Sequence, residues 1–307
     1  MFFFENYTVL NVFIFIILLA GLLLINEFTR RSKVLSVIFY IVIPVVFTFT
    51  VWRTAANSET TQGNWFAWVK TYSALAGVLG FMALRYVKRL QTNKFMLLFP
   101  ALILGINILE AVFRDFEVSS LDGVVQNGLL LQGGPWNIIN GLAGIISVIT
   151  LTGWVGIKIS NNKSKDMVWA DQLWHWVIAY GIWNMSYVYN CIPERAFYAG
   201  VALIFVSTFA AFVGTKGVWL QHRAQTLALF AMFTLTFPTY STTKYFSIVT
   251  THNVAPMYIL SILSIIANVG VLIYEIITII KTKRNPLVEE LYVDTKAYKE
   301  IITANSL

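Results

Sequence analysis

Residues Val9–Phe28 read VLNVFIFIILLAGLLLINEF, an almost wholly apolar run long enough to cross a membrane. A transmembrane helix needs about 20 predominantly apolar residues. Eight further runs of this kind follow, near residues 34–52, 65–84, 95–113, 136–158, 168–190, 197–214, 218–238 and 254–280. Only helices and closed barrels satisfy their backbone hydrogen bonds in lipid, and these runs lack the alternation typical of barrel strands. The sequence therefore predicts an all-α, polytopic transmembrane helical bundle of about nine spans.

The composition of the 307 residues agrees with this prediction and excludes several classes of soluble protein. Hydrophobic residues make up 57% of the chain and charged residues 12%, and the mean hydropathy is +0.69. A soluble domain carries roughly 25% charged residues. A soluble enzyme, a DNA-binding module and a disordered chain are excluded on this ground. The single cysteine, Cys191, excludes an internal disulfide and a paired-cysteine redox or zinc motif.

The basic residues predict the orientation of the bundle. Seventeen of the 22 Lys and Arg residues fall in alternate connections and in the tail, and the other five fall on the opposite side. The positive-inside rule then places the N-terminus outside and the C-terminus in the cytoplasm. We expect a transmembrane helical domain over 1–284 and a short cytoplasmic tail over 285–307, which is either an interfacial helix or disordered. The outer connection 114–135 is either an ordered surface loop or a segment that re-enters the membrane over 119–134.

Ionisable residues inside spans identify a first candidate site, because each costs about 3 kcal/mol at the centre of a membrane helix. Asn107, Glu110 and Arg114 share one face of the fourth predicted span, and Glu110 is spaced to pair with Arg114. Lys70 enters from the third span at comparable depth. The alternative to a polar cavity is an ion pair at the interface, with Lys70 extending its amine toward the headgroups.

The sixth predicted span adds aromatic and polar side chains to the same outer half. Tyr180, Asn184 and Tyr187 form a stripe along it, and Trp176 and Trp183 lie deep in the membrane. These rings could bind a cation, a planar ligand or a lipid tail, or they could simply fill the core. We expect a substrate-binding cavity that opens outside and is lined by Lys70, Asn107, Glu110, Arg114, Trp176, Tyr180, Trp183, Asn184 and Tyr187.

A second polar cluster is predicted near the cytoplasmic side. Asp171 and His175 are neighbours at i and i+4, and the eighth span carries Gln221, His222 and Arg223 at similar depth. One carboxylate with two histidines is a weak metal or haem pattern without the spacing of established sites. We therefore expect no metal and no cofactor. We expect instead an inner polar network of these five residues, with Asp171 hydrogen-bonded to His222 or Arg223.

Three stretches carry a resemblance to a known family: Gly133–Gly156, Asp171–Cys191 and Trp219–Thr226. They resemble an uncharacterised family, a domain of unknown function, of bacterial multi-spanning integral membrane proteins. The likeness covers much of the chain from about 107 to 240. It implies a location in the cytoplasmic membrane of a bacterium, and it supplies no substrate, reaction or site residue.

The leading functional hypothesis is a protein that binds and transports a small solute through an intramembrane polar cavity. One alternative is a membrane-embedded enzyme that acts on a lipid-phase substrate through Asp171, His175 and His222. Another is a non-catalytic sensor or assembly subunit. The first two are separated by whether the outer or the inner polar cluster lines the larger cavity. The expected partners are membrane lipid and a small-molecule solute, with no nucleic acid, and a homo-oligomer is left open.

Overall fold

The computed structural model describes residues 2–55, 65–126 and 129–307, and the architecture is all-α with three short strand pairs. The helices are α1 Val9–Arg31, α2 Lys33–Val37, α3 Ile43–Phe49, α4 Val51–Ala55, α5 Trp65–Tyr86, α6 Lys94–Val118, α7 Pro135–Ile149, α8 Trp174–Cys191, α9 Leu203–Phe209, α10 Trp219–Thr236, α11 Val254–Thr282 and α12 Lys296–Ala304. The strands are β1 Phe4–Glu5, β2 Val125–Gln126, β3 Leu129–Leu130, β4 Ile157–Ile159, β5 Met167–Trp169 and β6 Val249–Thr250. Three π-helical segments continue neighbouring helices: Ile38–Val42, Phe197–Ala202 and Ala210–Gly214.

Five helices are long and apolar enough to cross a membrane, which supports a membrane protein. They are Val9–Arg31, Ala67–Tyr86, Lys94–Val118, Phe197–Gly214 and Val254–Thr282. Two shorter apolar helical stretches are Lys33–Phe49 and Pro135–Ile149. The outer helices expose large apolar side chains such as Phe13 and Ile266, as a lipid-facing surface requires.

The helices α8 and α10 occupy the centre of the bundle. Each has 18 residues, of which thirteen are buried. Both carry polar and aromatic side chains on nearly every face, and the surrounding helices cover those faces. A helix enclosed in this way needs no continuous apolar stripe toward lipid, which explains why its sequence is less apolar than that of a peripheral span.

The ends of the helices meet at two opposite faces of the bundle. At the β1 face, β1 pairs antiparallel with β6, and Asn11 Nδ2 donates to the carbonyl oxygen of Lys244 at 2.6 Å. At the tail face, the hairpin of β4 and β5 (157–169) packs near the C-terminal segment 285–307. The helix α1 runs from the β1 face, where Asn11 contacts Lys244, to the tail face, where Arg30 contacts Asp166.

The predicted span 136–158 extends too far, because α7 ends at Ile149 and the chain then forms the tail-face hairpin. Gly153 lies in this connection with φ +60°, a conformation that favours glycine. A Cβ atom there would also lie 2.8 Å from the Cβ of Asp171. The tight turn therefore needs glycine, and it brings residues 150–173 back over the end of the bundle.

The connection between α6 and α7 contains the β2–β3 hairpin, and residues 127 and 128 lie outside the described residues. The helix α6 continues to Val118, beyond the predicted end at residue 113. The chain returns so closely that a Cβ on Gly133 would lie 2.1 Å from the carbonyl oxygen of Val118. The described part of this connection folds closely against α6, and re-entry of 119–134 into the membrane stays a prediction.

The C-terminal segment 285–307 packs against the tail face. Tyr298 and Ile301 of α12 are buried, and the side chain of Asn305 donates to the carbonyl oxygen of Lys216 at 2.9 Å. An exposed ion pair joins Lys216 to Glu300 at 2.6 Å. Of the two predicted alternatives for this tail, the disordered one is wrong, because apolar and polar contacts both hold the segment in place.

Candidate functional site

A cavity of about 480 Å³ lies between α5, α6, α8, α10 and the π-helical segment Phe197–Ala202. It follows α10 from Arg223 to Thr234, a distance of about 16 Å at 1.5 Å per residue. Toward the β1 face its wall includes Glu117, whose side chain is 54% exposed. The cavity therefore reaches from the β1 face deep into the bundle.

The structure brings eight of the nine residues predicted for the outer site to the wall of this cavity. They are Lys70, Asn107, Glu110, Arg114, Tyr180, Trp183, Asn184 and Tyr187. The ninth, Trp176, lies outside the wall and stacks on Tyr180 with ring centroids 5.4 Å apart. Its indole N–H donates to the hydroxyl oxygen of Thr150 at 3.2 Å. A role for these residues in ligand binding stays a prediction, since their placement alone names no ligand.

Lys70 provides a half-buried positive charge at the cavity wall. Its ammonium group donates to the side-chain oxygen of Asn107 and lies 3.4 Å from Glu110 Oε2. The side chains of Lys70 and Glu110 are 21% and 24% exposed, so solvent in the cavity reaches both. This contact joins α5 to α6 at the cavity wall.

The predicted ion pair between Glu110 and Arg114 is wrong. Arg114 Nη1 instead donates to Glu117 Oε2 at 2.7 Å, one turn closer to the β1 face. Spacing along one helix allowed both arrangements, since residues at i+3 and i+4 are equally close neighbours. The choice depends on Lys70, which reaches Glu110 from another helix.

Arg223 lies at the deep end of the cavity. Its residue is 6% exposed, and Nη2 donates to Asn184 Oδ1 at 3.1 Å while Nε lies 3.5 Å from the hydroxyl oxygen of Tyr180. The atom Nη1 is buried without a hydrogen-bond partner among the described residues. The placement of Arg223 in the inner network is therefore wrong, because its long side chain extends from α10 into the outer cavity.

Aromatic side chains close the cavity toward the tail face. The rings of Tyr180, Trp176 and Trp219 contact one another with centroid distances of 5.0 to 5.9 Å. All three residues are buried. We call this group the aromatic floor. It separates the guanidinium of Arg223 from the tail face.

The other residues of the predicted inner network lie in separate environments. His222 Nδ1 accepts from Asn26 Nδ2 at 2.8 Å, and Gln221 Nε2 donates to Asp166 Oδ1 at 3.0 Å. His175 packs edge-on against Tyr274 and Tyr292, with ring centroids 5.0 and 5.3 Å apart. These residues therefore do not form one network.

Asp171 has neither His222 nor Arg223 as a partner, so that predicted contact is wrong. Its carboxylate accepts the backbone N–H groups of Leu291 at 2.9 Å and Tyr292 at 2.8 Å. Burial raises the pKa of the Asp171 carboxyl, and its hydrogen bonds with Thr152 and these two N–H groups oppose the rise. The carboxylate holds the C-terminal segment, which local sequence patterns do not reveal.

The space beside Asp171 and His175 is about 10 Å³, which is enough for one water molecule at most. Within the described ranges, no group of three or more His, Cys, Asp or Glu side chains is arranged to hold a metal ion. Of the two predicted polar clusters, the outer one therefore lines the larger cavity.

Sequence reasoning missed a buried ionic cluster at the tail face, which we call the Asp166 network: Glu27, Arg30, Arg85, Asp166 and Gln221. Asp166 is fully buried and accepts from Arg30 Nη1 at 2.6 Å, while Arg30 also binds both carboxylate oxygens of Glu27 at 2.7 Å. Arg85 Nε and Nη2 donate to the backbone oxygens of Lys165 and Ser164 at 3.0 and 2.9 Å. In sequence these residues resemble solvated connections rich in lysine, so no local signal marked them.

Sequence reasoning also missed Asp115, a fully buried carboxylate behind the cavity wall. It accepts from the side chains of Asn137 at 3.0 Å and Asn140 at 2.7 Å. The thiol of Cys191 lies 3.4 Å from it and lines the cavity. These contacts tie α6 to α7 and α8, and they support the wall from behind.

No curated protein and no solved structure matches the chain. Residues 5–304 match a family model that is described as a family of unknown function, DUF5692. The predicted resemblance to a domain of unknown function is thereby confirmed, and it extends well beyond residues 107–240. Because the match covers nearly the whole chain, this protein belongs to the family of unknown function DUF5692.

Proposed function

We propose that this protein is an integral membrane protein that binds a small solute in the cavity beside Lys70 and Arg223 and transports it. The observation that carries the proposal is a cavity of about 480 Å³ whose wall carries the buried Arg223 and the partly exposed Lys70 and Glu110. Small-molecule sites usually have volumes of about 300–1,000 Å³ and a few convergent polar groups. Ionisable residues inside membrane helices commonly mark solute pathways.

The two ends of the cavity differ in the way that transport requires. At the β1 face the wall carries the partly exposed side chain of Glu117, whereas the aromatic floor covers the opposite end. A transporter exposes its site to one side at a time and closes the other side. This arrangement supports a state in which the site is accessible from the β1 face.

The segment Phe197–Gly214 is the element that we propose to move. It contributes Ala199 and Leu203 to the cavity wall, and a π-helical segment lies at each of its ends. Single π-helical turns inside helices occur frequently at functional sites, because they leave backbone groups less tightly paired. A shift of this segment would change access to the cavity without unfolding the central helices.

We further propose that the bundle spans the cytoplasmic membrane of a bacterium nine times, with the β1 face outside and the tail face in the cytoplasm. The five long helices, the two shorter apolar stretches and the enclosed helices α8 and α10 together supply nine segments. The excess of basic residues at the tail face supports the orientation. The excess of basic residues at the tail face remains when Arg223, whose side chain lies in the cavity, is not counted.

Cysteine labelling of intact cells tests this orientation. In a Cys191→Ser background, Ser120→Cys at the β1 face should react with a membrane-impermeant maleimide, and Lys163→Cys at the tail face should react only after lysis. Both positions are exposed in the bundle. Labelling of Lys163→Cys in intact cells would overturn the orientation.

The enzyme hypothesis receives less support from the geometry. Asp171, His175 and His222 have separate partners, and the space beside the first two holds one water molecule at most. A lipid-phase substrate needs access to its catalytic groups, which that space does not provide. We therefore favour transport.

Uptake into proteoliposomes tests the transport proposal. Vesicles that contain the purified chain are incubated with pooled metabolites, and the retained solutes are measured by mass spectrometry. We expect at least one solute to be retained above protein-free vesicles, and Lys70→Met or Glu110→Gln to reduce its uptake at least tenfold. Lys299→Met, at an exposed position of α12, is the matched control. Equal retention in wild-type and protein-free vesicles would contradict transport.

A further inference from the structure

The guanidinium of Arg223 is a buried charged group at the cavity wall whose hydrogen bonds to the described residues are incomplete. Arg223 is 6% exposed, and its partners are the neutral oxygens of Asn184 and Tyr180. Nη1 has no hydrogen-bond partner among the described residues, and none of their carboxylates lies within 4.0 Å of the guanidinium. An arginine keeps its charge in proteins, so burial without an anion is costly.

Two other buried arginines of the same bundle, Arg30 and Arg85, have hydrogen-bond partners for their guanidinium groups. Arg30 binds the carboxylates of Glu27 and Asp166, and Arg85 donates to three backbone oxygens. Neither Arg30 nor Arg85 is among the residues with buried unpartnered nitrogen atoms. Carboxylates and backbone oxygens therefore surround the two buried arginines that join helices at the tail face. Arg223 departs from this pattern, and its guanidinium lies at the wall of the cavity of about 480 Å³.

The surroundings of Arg223 define what else a ligand must carry. The rings of Tyr180 and Trp183 line the cavity near the guanidinium, and Leu227 and Phe230 continue an apolar wall along α10. Lys70 faces the same space as a second positive charge. A ligand with a charged end and an apolar body would contact both kinds of surface.

Building on the proposed function, we propose that the solute is an organic anion, and that Arg223 binds its carboxylate or phosphate group. The planar guanidinium matches oxyanions through paired N–H donors, and the free Nη1 supplies one of them. The apolar body of the ligand packs against Tyr180, Trp183 and Leu227. The ligand thus provides the counter-charge that no described residue supplies to Arg223 within 4.0 Å.

Two sources could present this oxyanion. A water-soluble organic anion would enter from the β1 face past Glu117. The headgroup of an anionic lipid would enter from the side, between Val69 and Phe113, which line the cavity and are 41% and 69% exposed on the outer surface. Both sources share the same group at Arg223, and the test below separates them.

Binding is measured with four six-carbon probes that share one apolar body: hexanoate, hexyl phosphate, hexanol and hexyltrimethylammonium. The full chain is placed in nanodiscs of phosphatidylcholine, and tryptophan fluorescence follows binding and thermal unfolding. We expect at least one of the two anions to bind at least tenfold more tightly than hexanol and the cation. Equal affinity for hexanol and both anions would overturn the proposal.

Variants of Arg223 provide the second arm. Arg223→Met should weaken anion binding at least tenfold, and Arg223→Lys should retain part of it. The melting temperature of unliganded Arg223→Met should stay equal to wild type or rise, because an unpaired buried charge is removed. Arg89→Gln, at an exposed position, is the control. Undiminished anion binding by a folded Arg223→Met would overturn the assignment.

The third arm separates the sources and the two proposals. In nanodiscs that contain phosphatidylglycerol, weaker anion binding supports a lipid headgroup at Arg223, and unchanged binding supports a water-soluble anion. Uptake of a neutral solute with no anion binding would overturn the anion assignment and leave transport standing. Anion binding that depends on Arg223, with no uptake of any solute, would support the site and contradict transport.

Discussion

The guanidinium groups of Arg85 and Arg223 are both buried in one bundle, yet their surroundings differ. Arg85 lies in the Asp166 network, where backbone oxygens and a carboxylate 4.0 Å away surround it. Arg223 faces the cavity, and its Nη1 has no hydrogen-bond partner in the described part of the chain. Burial of a charge therefore does not by itself indicate function. The useful distinction is whether protein groups surround the charge or whether the charge faces a cavity that a ligand can enter.

The largest expected effect comes from the closed site. Asp166→Asn should lower the free energy of unfolding by about 3–5 kcal/mol, because it removes a fully buried carboxylate that Arg30 and Arg85 share, and Arg30 keeps only Glu27. Chemical unfolding in detergent measures the loss. Asp122→Asn, at an exposed position, should change the stability by less than about 0.5 kcal/mol. Equal stability of the two variants would show that the Asp166 network does not hold the helices together.

The same substitution at the two arginines sharpens the comparison directly. Arg85→Met should lower the melting temperature clearly, because three backbone oxygens lose their donor and each costs about 1–3 kcal/mol when buried and unpaired. Arg223→Met should leave the melting temperature equal or higher. Thermal unfolding of the two purified variants without added ligand measures both effects. A lower melting temperature for Arg223→Met would show that its bonds to Asn184 and Tyr180 are structural.

A smaller effect is expected where Asp171 holds the C-terminal segment. Burial raises the pKa of this carboxyl above 3.8, so the folded state favours the protonated form more than the unfolded state does. The stability contributed by Asp171 is therefore greatest below pH 3.8 and falls as the pH rises through the raised pKa. Asp171→Asn should lose this part of the pH dependence. Unfolding curves of both proteins from pH 4 upward test the sign, and a wild type that gains stability relative to the variant would contradict it.

The smallest effect is expected at the exposed pair of Lys216 and Glu300. The Lys216 ammonium lowers the pKa of Glu300, so the pair is lost as the pH falls. Both side chains are exposed, where ion pairs contribute little. Lys216→Ala should keep the wild-type melting temperature within error. A clear decrease would indicate that this contact, rather than Asp171, holds the tail.

Much of the candidate site could be predicted from the sequence, and its partners could not. Lys70, Glu110 and Asn184 stood out because polar residues in apolar helices must face the interior. The sequence predicted Arg114 as the partner of Glu110, whereas the structure has Lys70 there, because the partner depends on how α5 is rotated against α6. The sequence predicted Arg223 in the inner network because of its position along α10, but its long side chain reaches Asn184 in the outer cavity.

The sequence by itself determined the class of the protein and the approximate extent of its helices, because an apolar run of 20 residues has few stable environments other than lipid. It also determined which polar residues must be enclosed. Only the tertiary structure decided that Asp166 is buried, that Asp171 binds Leu291 and Tyr292, and that Arg223 faces the cavity. Periodicity along a helix reports one face of that helix. The partners of a side chain depend on how helices distant in sequence are rotated and packed against each other.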